Sequence, residues 1–229
     1  MVQSNQIDVS VRKLMKRLDV SPEGVVLLHE NDKTAPYNSK RFLEAFKDYL
    51  KPGTLSIFGD VAFNTNVVAK DALPQLNNQE RLVLSSGKML QLLVLDAQTT
   101  FAHHPSLMLG SVGKFSKFLA RHVTLDFPYG EKSIFNDLYE LNAVVVFVGE
   151  PQDVPELHYV ATTMRAPIIK KNTCYRDHEI KSYLDYDIDS DRIVAALLKS
   201  NVLLYETVGD SRIYGITFHD LIQFAQKQF

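Results

Sequence analysis

Two apolar strands with a helix between them constrain this fold more than any other feature of the chain. Val25, Val26, Leu27 and Leu28 form an unbroken apolar run that ends at His29. A run without alternation marks a strand buried on both faces, as in parallel sheets. A polar loop follows, then Ser39 is positioned to cap a helix to Leu50, with Phe42, Leu43, Phe46 and Leu50 on one side. Lys51, Pro52 and Gly53 stop that helix, and residues 54–58 make the next strand. Strand, helix and strand in this order make a βαβ unit, whose crossover is right-handed in nearly all sheets. Ala143 to Val148 supplies another buried strand. The implied class is α/β, with a mixed, largely parallel central sheet flanked by helices.

Ile7, Val11, Leu14, Met15 and Leu18 recur at helical spacing in front of that unit. Further helices are expected at 88–96, 114–121, 133–138, 154–164, from a Ser190 cap to 199, and at 218–227. Strands are expected at 81–84 and 168–171. A hairpin of 202–206 and 212–216 turns at Gly209 and Asp210. The polar, Asn-rich stretch 59–80 reads as a long loop. No repeat or linker divides the sequence, so residues 1–229 read as one domain.

A net charge of −2 gives no general attraction to nucleic acid or an anionic membrane. Cys174 is the single cysteine, so no intrachain disulfide forms and a structural zinc site is poorly served. No apolar stretch reaches the ~18 residues of a membrane span, and residues 1–6 are polar. The expected location is the cytoplasm. The seven histidines make no HxH or HxxxH pair, so no metal site is expected. No Gly-x-Ser-x-Gly elbow, P-loop or Gly-x-Gly-x-x-Gly appears, which removes the common hydrolase, kinase and dinucleotide readings.

Three histidines remain as candidates. His104 precedes Pro105, which biases it toward an extended backbone at a strand end or loop. An unperturbed imidazole titrates near neutrality and can accept a proton there. His158 follows the strand at 143–148 by the distance of the first turns of a succeeding helix, and ligands gather at the carboxyl ends of such strands. His29, ending the first strand, falls on the same edge. For each, a hydrogen-bonded structural histidine is the competing reading.

These residues, with others in order, resemble the aminoglycoside 3-N-acetyltransferase family. The likeness begins with the strand ending at His29 and with Gly53, Thr54 and Leu55. It continues through Gly87, His104 with Pro105, and Gly113 nine residues beyond. Its best stretch holds Pro128, Tyr129, Gly130, Ser133 and the run Leu138, Tyr139, Glu140, Leu141, and Gly149, Leu157 and His158 complete it. The resemblance implies direct acyl transfer from acetyl-CoA, or another acyl-CoA, to an amine of an amino sugar or aminoglycoside-like acceptor. It implies His104 as the site imidazole and His158 on the acceptor side. His29, Asn31, Lys33, Ser39, Lys40, Tyr129 and Ser133 fall to the cosubstrate. The implied partners are a CoA thioester and a small amine, with a homodimer left open, and neither nucleic acid nor membrane is implied.

The sequence departs from that pattern at several positions. Ala161 stands where the family carries a carboxylate three residues after His158, and Glu156 projects from nearly the opposite side of the helix. Met108 replaces a serine. Glu30 and Asn31 replace serines after His29, and Tyr37 and Asn38 replace a glycine-rich turn. Glu30 and Asp32 oppose a pyrophosphate, since like charges at ~4 Å repel by roughly 4 kcal/mol at an effective dielectric of 20. Lys33, Lys40 and Arg41 oppose that effect. The segment between Phe58 and Gly87 is shorter than usual in the family, which disfavours a bulky polycation. An active acyltransferase and a catalytically degenerate binding protein therefore both stand as readings of the sequence.

Overall fold

The computed structural model describes residues 4–31, 38–60, 87–104, 107–121, 126–152, 154–174 and 180–228. The chain begins with α1 (Ser4–Arg17), β1 (Val25–Glu30), α2 (Ser39–Tyr49) and β2 (Thr54–Asp60). After α3 (Lys88–Val94) come the hairpin strands β3 (Thr100–His103) and β4 (Leu107–Gly113), then the short α4 (Ser116–Leu119) and α5 (Ile134–Glu140). β5 (Val144–Val148), α6 (Glu156–Met164), β6 (Ile168–Cys174) and β7 (Ile180–Tyr186) follow. The chain closes with α7 (Ser190–Leu198), β8 (Leu204–Val208), β9 (Ser211–Thr217) and α8 (Phe218–Gln226).

Among the described residues, seven strands join in the order β3-β4-β2-β1-β5-β9-β8. The βαβ unit behaves as its pattern dictates: β1 and β2 pair in parallel, and β5 adds to the other side of β1 in the same direction. Parallel pairing is confined to these three central strands. β4 and β3 extend the sheet antiparallel on one side, and β9 and β8 on the other. The sheet is mixed, with its parallel part at the centre where both faces are covered.

Alternation along the strands divides the interior into two layers. Val25, Leu27, Val145 and Phe147 pack with Phe135, Leu157, Ile193 and Phe218 from α5, α6, α7 and α8. Val26, Leu28, Val144 and Val146 pack with Ile7, Leu14, Phe42, Phe46 and Met89 from α1, α2 and α3. Each such side chain, fully buried, contributes about 1.5–3 kcal/mol relative to exposure. The same alternation carries His29 onto the first layer and Glu30 onto the second.

β6 and β7 form a separate two-stranded arm, Lys171 opposite Tyr183 and Ile168 opposite Tyr186. Leu184 N–H donates to the Asp126 carbonyl at 2.7 Å, tying β7 to the chain before α5. Tyr183 and Asp185 are buried while Leu184 between them is exposed, so one face of β7 is turned inward.

Several expectations shift. Asn38, not Ser39, caps α2, its Oδ1 accepting from Arg41 N–H, and Asp189, not Ser190, caps α7 through Arg192 N–H. The strands β3, β4 and β7 had no counterpart in the sequence reading. The expected strand at 81–84 and most of the loop at 59–80 lie outside the described residues.

One backbone contact fixes how β2 and β4 meet. Gly113 has φ +115°, and a Cβ there would stand 2.1 Å from the Gly53 carbonyl oxygen. Gly113→Ala is expected to cost at least about 1–3 kcal/mol, from the disfavoured dihedral and the clash together. A fall in the urea midpoint of unfolding would register it, and an unchanged midpoint would contradict this account.

Candidate functional site

His29 lies in the sheet row where β1 faces Phe147 of β5. Its ring stacks on Phe147 at 5.2 Å and Phe58 at 5.9 Å between centroids, which fixes its plane. Its Nε2 meets Glu156 Oε1 at 2.7 Å. Glu156 is fully buried in the first turn of α6, and its Oε2 has no hydrogen-bond partner among the described residues. The helical argument that kept Glu156 away from His158 holds. Its carboxylate goes to a different histidine.

His158 finds another carboxylate. Its Nδ1 meets Asp185 Oδ1 at 2.7 Å, and its ring stacks on Tyr129 at 4.7 Å. Asp185 is 1% exposed; Tyr186 N–H donates to its Oδ1, and Lys171 Nζ stands 2.6 Å from its Oδ2. Burial pushes the Asp185 carboxyl up, but hydrogen bonds and charge from His158 and then Lys171 outweigh burial and hold it below the usual range. These interactions stabilise the fold at pH above the ordinary carboxylate range, and the contribution is lost as pH falls through the depressed value. Ala161, where the sequence suggested a missing acid, is simply a buried core residue.

His104 closes the β3–β4 hairpin, its N–H donating to the Leu107 carbonyl and its carbonyl accepting from Leu107 N–H. The ring is buried and sits edge-on to Tyr183 at 5.1 Å. Tyr183 and Asp185 share the inward face of β7, so the arm brings the surroundings of His104 and His158 to one strand. Met108 packs in the second layer with Leu28 and Ile57, so its side chain takes no place beside His104.

A row of neighbouring aromatic rings connects the two histidine–carboxylate pairs. Tyr129 lies 5.4 Å from Phe135, and Phe135 lies 5.1 Å from Phe58, which in turn touches His29. Tyr159, nearby on α6, is pushed up to about 12 by burial and donates its hydroxyl proton to Asn136 Oδ1. It stays protonated and offers no base.

The remaining candidates for the cosubstrate are dispersed. Asn31 donates its amide to the Glu150 carbonyl and its backbone N–H to Val148, joining the ends of β1 and β5. Ser133 is buried and caps α5, its Oγ accepting from Asn136 N–H. Ser39 is buried in the first turn of α2, and Lys40 beside it is exposed. Lys33 lies outside the described residues. Glu30 accepts from Met89 N–H at 2.6 Å, so its charge sits at the start of α3. Among the described residues no group of three or more His, Cys, Asp or Glu is arranged to hold a metal, and no helix is long and apolar enough to cross a membrane.

Sequence reasoning missed Asp185, which β7 brings to His158, and Lys171, which β6 brings to Asp185. The available signal was a charged residue between two aromatics, Tyr183 and Tyr186, in a segment of polar appearance.

A family profile described as aminoglycoside 3-N-acetyltransferase matches residues 33–229. Among solved structures the fold is similar to aminoglycoside acetyltransferase AAC(3)-IIb, with 17% identity and a TM-score of 0.77 over 100% of this chain and 96% of that one. It is similar to AAC-IIIb in a binary complex with CoASH, with 17% identity and a TM-score of 0.76 over 96% of this chain and 95% of that one. It is also similar to the YokD protein from Bacillus subtilis, with 15% identity and a TM-score of 0.75 over 100% and 93%. No curated protein matches the sequence.

Proposed function

The chain belongs to the aminoglycoside 3-N-acetyltransferase family, and from that premise we propose that it is a CoA-dependent N-acyltransferase. The acyl group passes directly from the thioester to an amine of an amino sugar or aminoglycoside-like acceptor. Acetyl-CoA is the proposed cosubstrate, and residues 1–229 are proposed to work as one unit in the cytoplasm. The observation that carries this reading is the contact of half-buried His158 Nδ1 with the buried Asp185 Oδ1.

A carboxylate is an acceptor, so the nitrogen facing it carries the proton. His158 is thereby held as the Nδ1–H tautomer, with the lone pair on Nε2. An ammonium has no lone pair, and a base must hold the amine's proton as its nitrogen attacks the thioester carbonyl. In this reading Nε2 takes one ammonium proton, the new C–N bond forms, the C–S bond breaks, and the nitrogen's second proton passes to the departing sulfur, so that CoA leaves as the thiol. Asp185 then faces an imidazolium and stabilises it. Holding amine and thioester together contributes a further ~7–11 kcal/mol. His104, edge-on to the Tyr183 ring, is proposed as a wall of the same site.

The competing reading, a binding protein without turnover, drew on Ala161, on Met108 and on the replaced phosphate-loop residues Glu30, Asn31, Tyr37 and Asn38. Asp185 supplies a carboxylate to His158 regardless of Ala161, and Met108 faces the other layer. Both observations favour the enzyme.

Binding comes first in the test. CoA at 100 times its dissociation constant should stabilise the protein by about 2.7 kcal/mol, readable as a thermal shift. No shift with CoA or acetyl-CoA up to millimolar concentrations would sink the proposal. Thiol release from acetyl-CoA, measured against a panel of amino sugars and aminoglycosides, then identifies the acceptor.

A further inference from the structure

Lys171 lies on β6 opposite Tyr183, and its ammonium is within 2.6 Å of Asp185 Oδ2 while His158 Nδ1 holds Oδ1. One buried carboxylate therefore joins an imidazole from α6 to a cation from the arm. The cation is about a third exposed, 34% of its side chain, whereas the carboxylate is 1% exposed.

We propose that Lys171 is a positioning residue for the reaction: it fixes the Asp185 carboxylate and offsets its charge, so that the His158 ring stays oriented with Nε2 as the base. The inference rests on the acyl-transfer reading and extends it to a residue outside the histidine motif. A lone buried carboxylate against an imidazole favours the imidazolium, because burial strengthens the attraction between opposite charges. An imidazolium has no lone pair and cannot take a proton from the amine. A second cation on the same carboxylate removes that bias without removing the hydrogen bond that sets the tautomer. Tyr186 N–H, donating to Oδ1 at 2.7 Å, adds a third fixed point.

Several of the described residues face this cluster. From α6 comes His158 and from β6 Lys171; β7 contributes Tyr183 and Tyr186, and Tyr129 stacks on His158. His104 reaches the cluster through the edge of Tyr183. Among the described residues the recorded ion-pair partners of Asp185 are His158 and Lys171.

The test compares Lys171→Met and Lys171→Arg in the full chain. In Lys171→Met the acidic limb of the kcat/KM profile should move up by about one pH unit, with activity on that limb down about tenfold. KM for the thioester should stay within about twofold, and Lys171→Arg should restore the parental limb. A Lys171→Met profile scaled down uniformly, with its limb unmoved, would show that Lys171 only braces the arm and would overturn the proposal. Nitrogen-15 NMR of His158 gives a readout independent of turnover: its ring should titrate at higher pH in Lys171→Met than in the parent. Identical titrations overturn the proposal. If the parent turns over no acceptor but the titration moves as expected, the Lys171 coupling stands and the acyl-transfer reading fails.

Discussion

His158→Ala is expected to lower acyl-transfer turnover by about 10²–10⁴-fold, the usual contribution of a positioned general base. The loss should appear in kcat, with KM for the thioester little changed, because the ring acts on the amine's proton as the new bond forms. Asp185→Asn probes the same step differently. An amide carries no charge to stabilise the imidazolium that forms. Its NH₂ must face either His158 with Tyr186 N–H or the Lys171 ammonium, so the variant lacks the fixed carboxylate that sets the ring's tautomer. Its loss of turnover should approach that of His158→Ala, and the double variant should be no worse than the poorer single one. Full activity in either single variant, with the fold intact by circular dichroism, would remove the dyad from the mechanism.

Glu156→Ala should be the most destabilising of the substitutions considered. His29 and Glu156 meet at 2.7 Å with Glu156 fully buried, so removing the carboxylate takes away the partner of a buried imidazole nitrogen. Breaking one side of a buried pair costs about 3–5 kcal/mol. In a chain of this length that corresponds to a melting-point fall of roughly 6–20 °C. Glu156→Gln keeps an acceptor for His29 and should cost far less. The double variant His29→Phe with Glu156→Met removes both polar groups and should recover most of the stability lost in Glu156→Ala, since an apolar replacement of a buried pair is often neutral or better. Equal losses in all three variants, measured by urea unfolding, would show that volume and not polarity governs the position.

What could be read from the sequence, and what could not, follows from whether a signal is local. The strands β1 and β5 announced themselves because burial on both faces leaves an unbroken apolar run, and β2 by its place directly after the helix stop at Lys51, Pro52 and Gly53. The amphipathic helices α1, α2 and α8 were legible for the same kind of reason. The direction of the flanking strands was not, since β4 and β9 run antiparallel through connections that no residue pattern encodes. β7 was missed because its inward face consists of Tyr183 and Asp185, and a buried aspartate reads as a surface residue. The caps slipped by one residue where two capable side chains adjoin. Asn38 reaches Arg41 N–H and Asp189 reaches Arg192 N–H, each three residues on, whereas Ser39 and Ser190 already lie inside their helices. Among the candidate residues, His29, His104 and His158 could be singled out individually from the sequence. Their partners could not, because Asp185 lies 27 residues from His158 and Glu156 lies 127 from His29.

That last separation bears on how the protein emerges during synthesis. β1 is made early, yet its neighbour β5 and the carboxylate for His29 follow only after more than a hundred further residues. At about 5–20 residues per second, the ribosome leaves roughly 6–25 s between His29 and Glu156. Throughout that interval one edge of β1 lacks its partner, and the nascent chain presents an apolar strand edge of the kind that recruits other strands. A message truncated before residue 144 would yield a β1 edge that is never covered, and such fragments should aggregate or bind chaperones while the full-length chain does not.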